Sequence, residues 1–302
     1  MNKKNLIIVF LSIIFTMSLF IGIEIYKLNN DLKSYCRKFT ISDVKYLFKR
    51  NKYETRFKIF LSNKRKPVGL KYKKKPILFL GCSYAYGQYL DENQIISYQI
   101  SKKAKRPVYN WASPGFGIQH AYYLLQNMPK IKPEPEYIFY IFTDDHLRRI
   151  FVDCEFYERY SENLQYKMKN GKLQRIDNRC SIFDNFYILY KIKDYFTRNI
   201  EYFQNYMYSQ KAQNLFKDYA NGLKDKIREV YPNAKFVILL YDYNYVNNSI
   251  KKLDENDIKV LNINELCNTD FSEEIYELKN NYSPNELVWD KVSDALVKEF
   301  DL

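Results

Sequence analysis

A serine on a tight turn and an imidazole within reach of it would be enough for acyl-transfer chemistry, and this chain holds candidates for both. Gly81-Cys82-Ser83-Tyr84-Ala85-Tyr86-Gly87 closes an apolar run, ILFLG at 77–81. A serine just past a strand end, flanked by glycines, has its hydroxyl presented on a turn that opens the next helix, as a nucleophile requires. Only two histidines occur in the 302 residues, His120 and His146. His146 ends Thr143-Asp144-Asp145-His146, which follows a second apolar run, YIFYIFT at 137–143. Five cysteines show no CxxC spacing and no clustered histidine, so no metal site is expected. Their odd number implies no disulfide framework, although a Cys154–Cys180 bridge stays open. No cofactor-binding residues are assigned.

The elements that must position these residues alternate. Short runs apolar on both faces, at 77–81, 108–112, 137–143, 235–241 and 259–263, fit buried parallel strands. Between and after them lie helical patterns. Leu215, Tyr219, Leu223 and Ile227 recur every four residues and stop before Tyr231-Pro232-Asn233. Leu287, Val288, Val292, Leu296 and Phe300 line one face of a final helix in the segment 284–300, with Pro284 near its start. Such alternation predicts a parallel sheet with helices on both faces and a ligand site beyond the C-terminal strand ends. Residues 148–209 interrupt it. They are rich in Tyr and Phe, hold no obvious strand, and are expected to form a mostly helical insertion at the edge of the site. Tyr157, Tyr160, Tyr166, Tyr187, Tyr190, Tyr202 and Tyr206 there are candidates to stack on sugar rings, with helix packing as the plainer role.

Order and spacing of these clusters resemble the SGNH (GDSL-type) hydrolases, over residues 76–302. ILFLGCSYAYG is similar to the family's first block, with Ser83 at the nucleophile and Cys82 where an Asp is usual. Asn110-Trp111-Ala112-Ser113-Pro114-Gly115-Phe116-Gly117 resembles the second, which puts Gly115 at the oxyanion position, its N–H set for a tetrahedral intermediate. Thr143-Asp144-Asp145-His146 falls at the third, with Asp144 in place of an oxyanion Asn. An ionised Asp cannot donate. Asn280-Asn281-Tyr282-Ser283-Pro284-Asn285 resembles the late Asp-x-x-His block, but Asn280 replaces the Asp and Ser283 the His. Neither can act as a general base near neutral pH.

The resemblance implies a three-layer, flavodoxin-like α/β fold with a parallel five-stranded sheet ordered 2-1-3-4-5. In that order the third strand neighbours the first, so His146 could approach Ser83 as a substitute base, oriented by Asp144 or Asp145, with Arg148 or Arg149 binding an anionic group. The plainer reading is that Asp145 and His146 hydrogen-bond the insertion. His120 is expected to be a packing or surface residue. Cys82 is a poor nucleophile candidate beside Ser83, because adjacent side chains leave the chain in different directions.

At the N-terminus, residues 6–23 are uncharged and apolar, long enough to span a bilayer, and no small-x-small cleavage site follows. They read as one transmembrane helix, an uncleaved signal anchor after a five-residue tail, with a cleaved signal peptide as the alternative. A linker at 24–75 follows. Within it, residues 31–75 carry 16 Lys/Arg against Asp31, Asp43 and Glu54, whereas residues 76–302 carry 29 basic and 31 acidic residues. The formal charge of +13 is therefore a juxtamembrane collar for lipid headgroups, or a solvated linker, and not a nucleic-acid-binding face. Positive residues beyond the span oppose an exported domain, but a long domain behind a first apolar segment is commonly exported, and an extracytoplasmic domain is expected.

Two functions follow from the resemblance. One is a membrane-anchored serine acyl-ester hydrolase or O-acyltransferase acting on acylated envelope glycan or lipid. The other is a catalytically inactive SGNH-like binding protein of the cell envelope. For topology, a phosphatase reporter fused after Leu302 is expected to be active outside the cytoplasm, and a reporter active only in the cytoplasm would reverse the assigned orientation.

Overall fold

In the computed structural model the described residues are 64–151, 165–169, 172–176, 210–241, 257–273, 276–278 and 281–302, with single residues at 61, 250 and 253. Strand β1 (Ile77–Gly81) is buried along its whole length. It pairs in parallel with β2 (Val108–Asn110) on one side and β3 (Tyr137–Phe142) on the other. Next come β6 (Lys235–Leu240) and β7 (Lys259–Asn262), giving one five-stranded parallel sheet in the order β2-β1-β3-β6-β7. Counting sheet strands alone, this is the expected 2-1-3-4-5.

Alternate residues of each strand point to opposite faces, and both faces are covered. Leu78, Leu80, Ile138, Tyr140, Phe142 and Ile238 pack under α3 (Ile118–Asn127), α4 (Asp145–Phe151) and α5 (Gln210–Val230). Ile77, Phe79, Tyr137, Phe139, Ile141 and Leu239 pack under the short α1 (Ser83–Tyr86), α2 (Ile96–Ala104), α6 (Ile263–Cys267) and α7 (Glu286–Phe300). The architecture is a three-layer α/β sandwich.

Three expectations are corrected. The interrupting stretch contains an antiparallel pair, β4 (Gln165–Lys169) with β5 (Lys172–Ile176), where no strand was expected. Only Asn170-Gly171 separates the two, the dipeptide favoured in two-residue hairpins. Leu173 of β5 is buried against Gly222 of α5, and its carbonyl accepts from Tyr122 Oη at 3.3 Å, so the hairpin is docked on the helical layer. On α7, Leu287 is 45% exposed, while Trp289 joins Val288, Val292 and Leu296 in the core. Finally, Pro284 does not open the last helix. It ends β9 (Asn281–Pro284), which pairs with β8 (Glu277–Leu278), and Asn285 caps α7 by accepting the Leu287 N–H at 3.0 Å.

Residues 64–75, read as the end of the linker, run along the domain. Val68 and Val108 exchange two backbone hydrogen bonds of 3.0 Å. The apolar run at 6–23 and the collar up to residue 60 lie outside the described residues, as do all the expected sugar-stacking tyrosines except Tyr166, which sits in β4. Among the described residues no helix is long and apolar enough to cross a membrane.

Close packing at the end of β1 leaves no room for a side chain at residue 81. Gly81 has φ +144°, and a Cβ there would sit 2.9 Å from the Ile141 carbonyl oxygen and 3.0 Å from Ala85 Cβ. Gly81→Ala is expected to cost about 2 kcal/mol or more, read as a lower urea midpoint at unchanged m-value.

Candidate functional site

Four short segments meet the C-terminal rim of the sheet. Ser83 is the first residue of α1, directly beyond β1, and is half-buried. Cys82 before it is extended and 1% exposed, so its thiol is turned into the protein. Gly87 ends the turn at φ +70°, its N–H reaching the carbonyls of Ser83 and Tyr84. A single helical turn is too short to be stable alone, and side chains from elsewhere hold it. Asn110, at the end of β2 and 1% exposed, donates from Nδ2 to the Ala85 carbonyl at 2.7 Å and accepts the Ala112 N–H at 3.0 Å. It ties the nucleophile turn to the next segment. The sequence reading did not single it out; the signal available was a polar residue closing an apolar strand.

Beyond β2 the chain keeps to the side of β1. Trp111 N–H donates to Phe79 at 2.9 Å, and Ser113 N–H to Gly81 at 3.3 Å. Gly115 follows in a turn at φ +80°, half-buried, on a loop that starts two residues from Ser83's own strand end. The loop bearing the expected oxyanion N–H is therefore tied to the end of the strand that carries Ser83. Arg149 fixes that loop from α4. Its guanidinium donates to the Phe116 carbonyl and, at 2.9 Å, to Asp145 Oδ2. Its own carbonyl accepts from Gln119 Nε2 at 3.2 Å. Arg149 is buried and bonded inside the protein, which speaks against it as the anion ligand of the Arg148-or-Arg149 alternative; the Arg148 side chain lies outside the description.

Asp144 is 3% exposed at the end of β3, and Asp145 is half-buried with Arg149. As carboxylates both accept only. His146 is fully buried, its ring set against Tyr140 and Phe142 on the α3–α5 side of the sheet. Nδ1 lies 2.6 Å from Tyr140 Oη, and Nε2 has no partner among the described residues. Burial, with Arg149 and then His120 nearby, pushes its pKa well below the usual histidine value. Of the packing and surface roles left open for His120, the structure shows packing: its ring stacks on Phe116 at 4.5 Å, and Nδ1 accepts the Gly117 N–H at 3.1 Å.

The candidate bond between Ser83 and His146 is not made. Ser83 Oγ has no hydrogen bond among the described residues, and each imidazole of the chain has a ring nitrogen engaged elsewhere. At the late block, Ser283 lies in β9 and is 9% exposed, so a hydroxyl occupies that position; Asn280 lies outside the described residues. No group of three or more potential metal-ligating side chains occurs among the described residues.

No family model matches the chain, and no curated protein matches it. Solved structures do. One is a member of the lipolytic G-D-S-L family from Veillonella parvula, 13% identical, covering 76% of this chain and 99% of its own, with a TM-score of 0.43. A lipase from a goat rumen metagenome is 13% identical over 74% of this chain and 97% of its own, at 0.48. An acetyl xylan esterase from Butyrivibrio proteoclasticus is 12% identical over 76% and 64%, at 0.41. At these values the likenesses carry no weight for activity. The three-layer fold rests on the chain's own sheet order, with Ser83 directly beyond β1 and Gly115 on the loop that follows β2.

The depressed pKa of His146 fixes the sign of a pH effect. The unfolded chain binds a proton on this residue near pH 6.5 and the folded chain does not, so stability is full above that value and falls as the pH drops below it. The slope is at most about 1.4 kcal/mol per pH unit. Urea midpoints measured from pH 7 to pH 5 should fall more steeply for the parent chain and Ser83→Ala than for His146→Gln.

Proposed function

We propose that this chain is an SGNH-like binding protein of the cell envelope, anchored by its apolar N-terminal run, whose cleft takes acylated glycan or lipid without turning it over. One observation carries the reading: neither histidine of the sequence bonds Ser83, and His146 is fully buried, with Nδ1 on Tyr140 and Nε2 bonded to no described residue. A serine hydroxyl is a weak nucleophile without an adjacent base. His146 also meets the task badly in chemical terms, since a base far below neutral pKa has little driving force to take the serine proton. The late position that would supply an imidazole holds Ser283. What the cleft retains is a half-buried serine and a glycine turn beside it, a polar surface suited to an ester or a sugar hydroxyl.

A second reading, acyl-ester hydrolysis or O-acyl transfer, is favoured by a different observation: Ser83 at the C-terminal end of β1, next to the Gly115 loop. There Ser83 would attack the ester carbonyl and the Gly115 N–H would face the oxyanion. Turnover of p-nitrophenyl acetate by the detergent-solubilised full chain separates the two. The binding reading predicts a rate equal to that of Ser83→Ala, together with retention of an acetylated xylo-oligosaccharide in titration calorimetry. A Ser83-dependent rate, or covalent labelling of Ser83 by a fluorophosphonate, would establish the second reading. If no oligosaccharide or acylated lipid binds, the first is lost as well.

A further inference from the structure

The basic residues ahead of the domain read as a collar, yet one of them is spent on the nucleophile turn. Arg65 Nε donates to the Tyr86 carbonyl at 3.1 Å, and Nη2 donates to Gly87 at 2.8 Å and to Leu90 at 3.1 Å. Its guanidinium carbon stands 4.6 Å from the centroid of the Tyr86 ring. Among the described residues it pairs with no carboxylate, so this cation is committed to backbone oxygens and one aromatic face.

Those oxygens belong to the end of α1 and the turn that follows. The last carbonyls of a helix have no partner within it, and a cationic side chain there satisfies them and complements the helix dipole. In a helix of four residues, satisfying the end amounts to holding the whole element. Asn110 grips the same turn from the β2 side, at Ala85. Three residues beyond Arg65, the Val68–Val108 backbone pair fastens the incoming segment to β2. The segment is thus anchored at the sheet, and its arginine closes over the turn that carries Ser83.

We infer that Arg65 is a positioning residue for the Ser83 turn, and that through it the end of the basic segment forms part of the cleft's frame. The contribution to binding rests on the cleft being the ligand site proposed above; the latch itself does not.

Hydrogen–deuterium exchange on the full chain in detergent, with Arg65→Ala and Arg65→Lys, tests it. In Arg65→Ala, the peptide spanning residues 83–90 should exchange about tenfold faster or more, with α2 and α7 unchanged. Methylguanidinium in the buffer should restore the slow exchange. Lys has one nitrogen for three carbonyls and should give a smaller local increase. Unchanged exchange at 83–90, or a rise spread evenly over the domain, overturns the inference. Should Arg65→Ala fail to fold, the lysine variant decides by the same criterion. Binding of the acetylated xylo-oligosaccharide is then expected to weaken in both variants at an unchanged melting temperature. A parent chain that binds none, while 83–90 still responds to Arg65, rejects the proposed function and keeps the latch.

Discussion

β1 must be buried on both faces, and much of the molecule follows from that demand. Ile77, Leu78, Phe79 and Leu80 are each fully buried, and covering one such side chain contributes about 1.5–3 kcal/mol. A strand apolar on both faces needs a paired strand on each edge and a layer above and below it. Parallel neighbours cannot be joined by tight hairpins, so the chain must cross over, and helices fill the crossovers. The C-terminal ends of β1, β2 and β3 consequently lie side by side, and residues distant in sequence, such as Gly81 and Ile141, come into register.

At that rim the requirement reverses, because backbone polar groups leave the sheet and need partners. Asn110 and Arg149 meet it with side chains aimed at carbonyls of the loops on either side, Ala85 and Phe116. Buried polar groups left without partners cost more than the bonds themselves contribute. The loops around Ser83 are therefore held by specific side-chain donors, which makes them shaped surfaces even if no proton is transferred there. Position and activation are separate properties of a serine, and this rim supplies the first without an imidazole partner for the second.

What could be read from the sequence follows the same division. The five strands were legible, each to within two residues, because double-sided burial leaves an uninterrupted apolar run. Their order followed from the resemblance of the short blocks. α5 was legible through the spacing of Tyr219, Leu223 and Ile227, all buried. The β4–β5 hairpin was not, since neither strand is an apolar run and its one marker is a dipeptide. The facing of α7 was misjudged at Leu287 because Trp289, two residues on and on nearly the opposite face, fills the core instead. Arg65 was hidden for another reason: among sixteen basic residues over 31–75, nothing local distinguishes a guanidinium bound to carbonyls from a solvated one.

His146 shows why side-chain direction is the hardest thing to infer. Sequence placed it correctly after β3, one strand from Ser83. Its direction depended on which face of the sheet would accept an imidazole, and the face under α3 and α5 offers Tyr140 Oη. That pairing favours a neutral ring, since a charged one would have to be desolvated beside Arg149. Tyr140 in turn is a fully buried phenol whose hydroxyl needs a partner. The two bond each other within the core. Turning His146 towards Ser83 would break its bond to Tyr140 Oη and bring the imidazole out of its packing with Phe142. The buried pair thus opposes the rotation that a Ser-His catalytic pair would need.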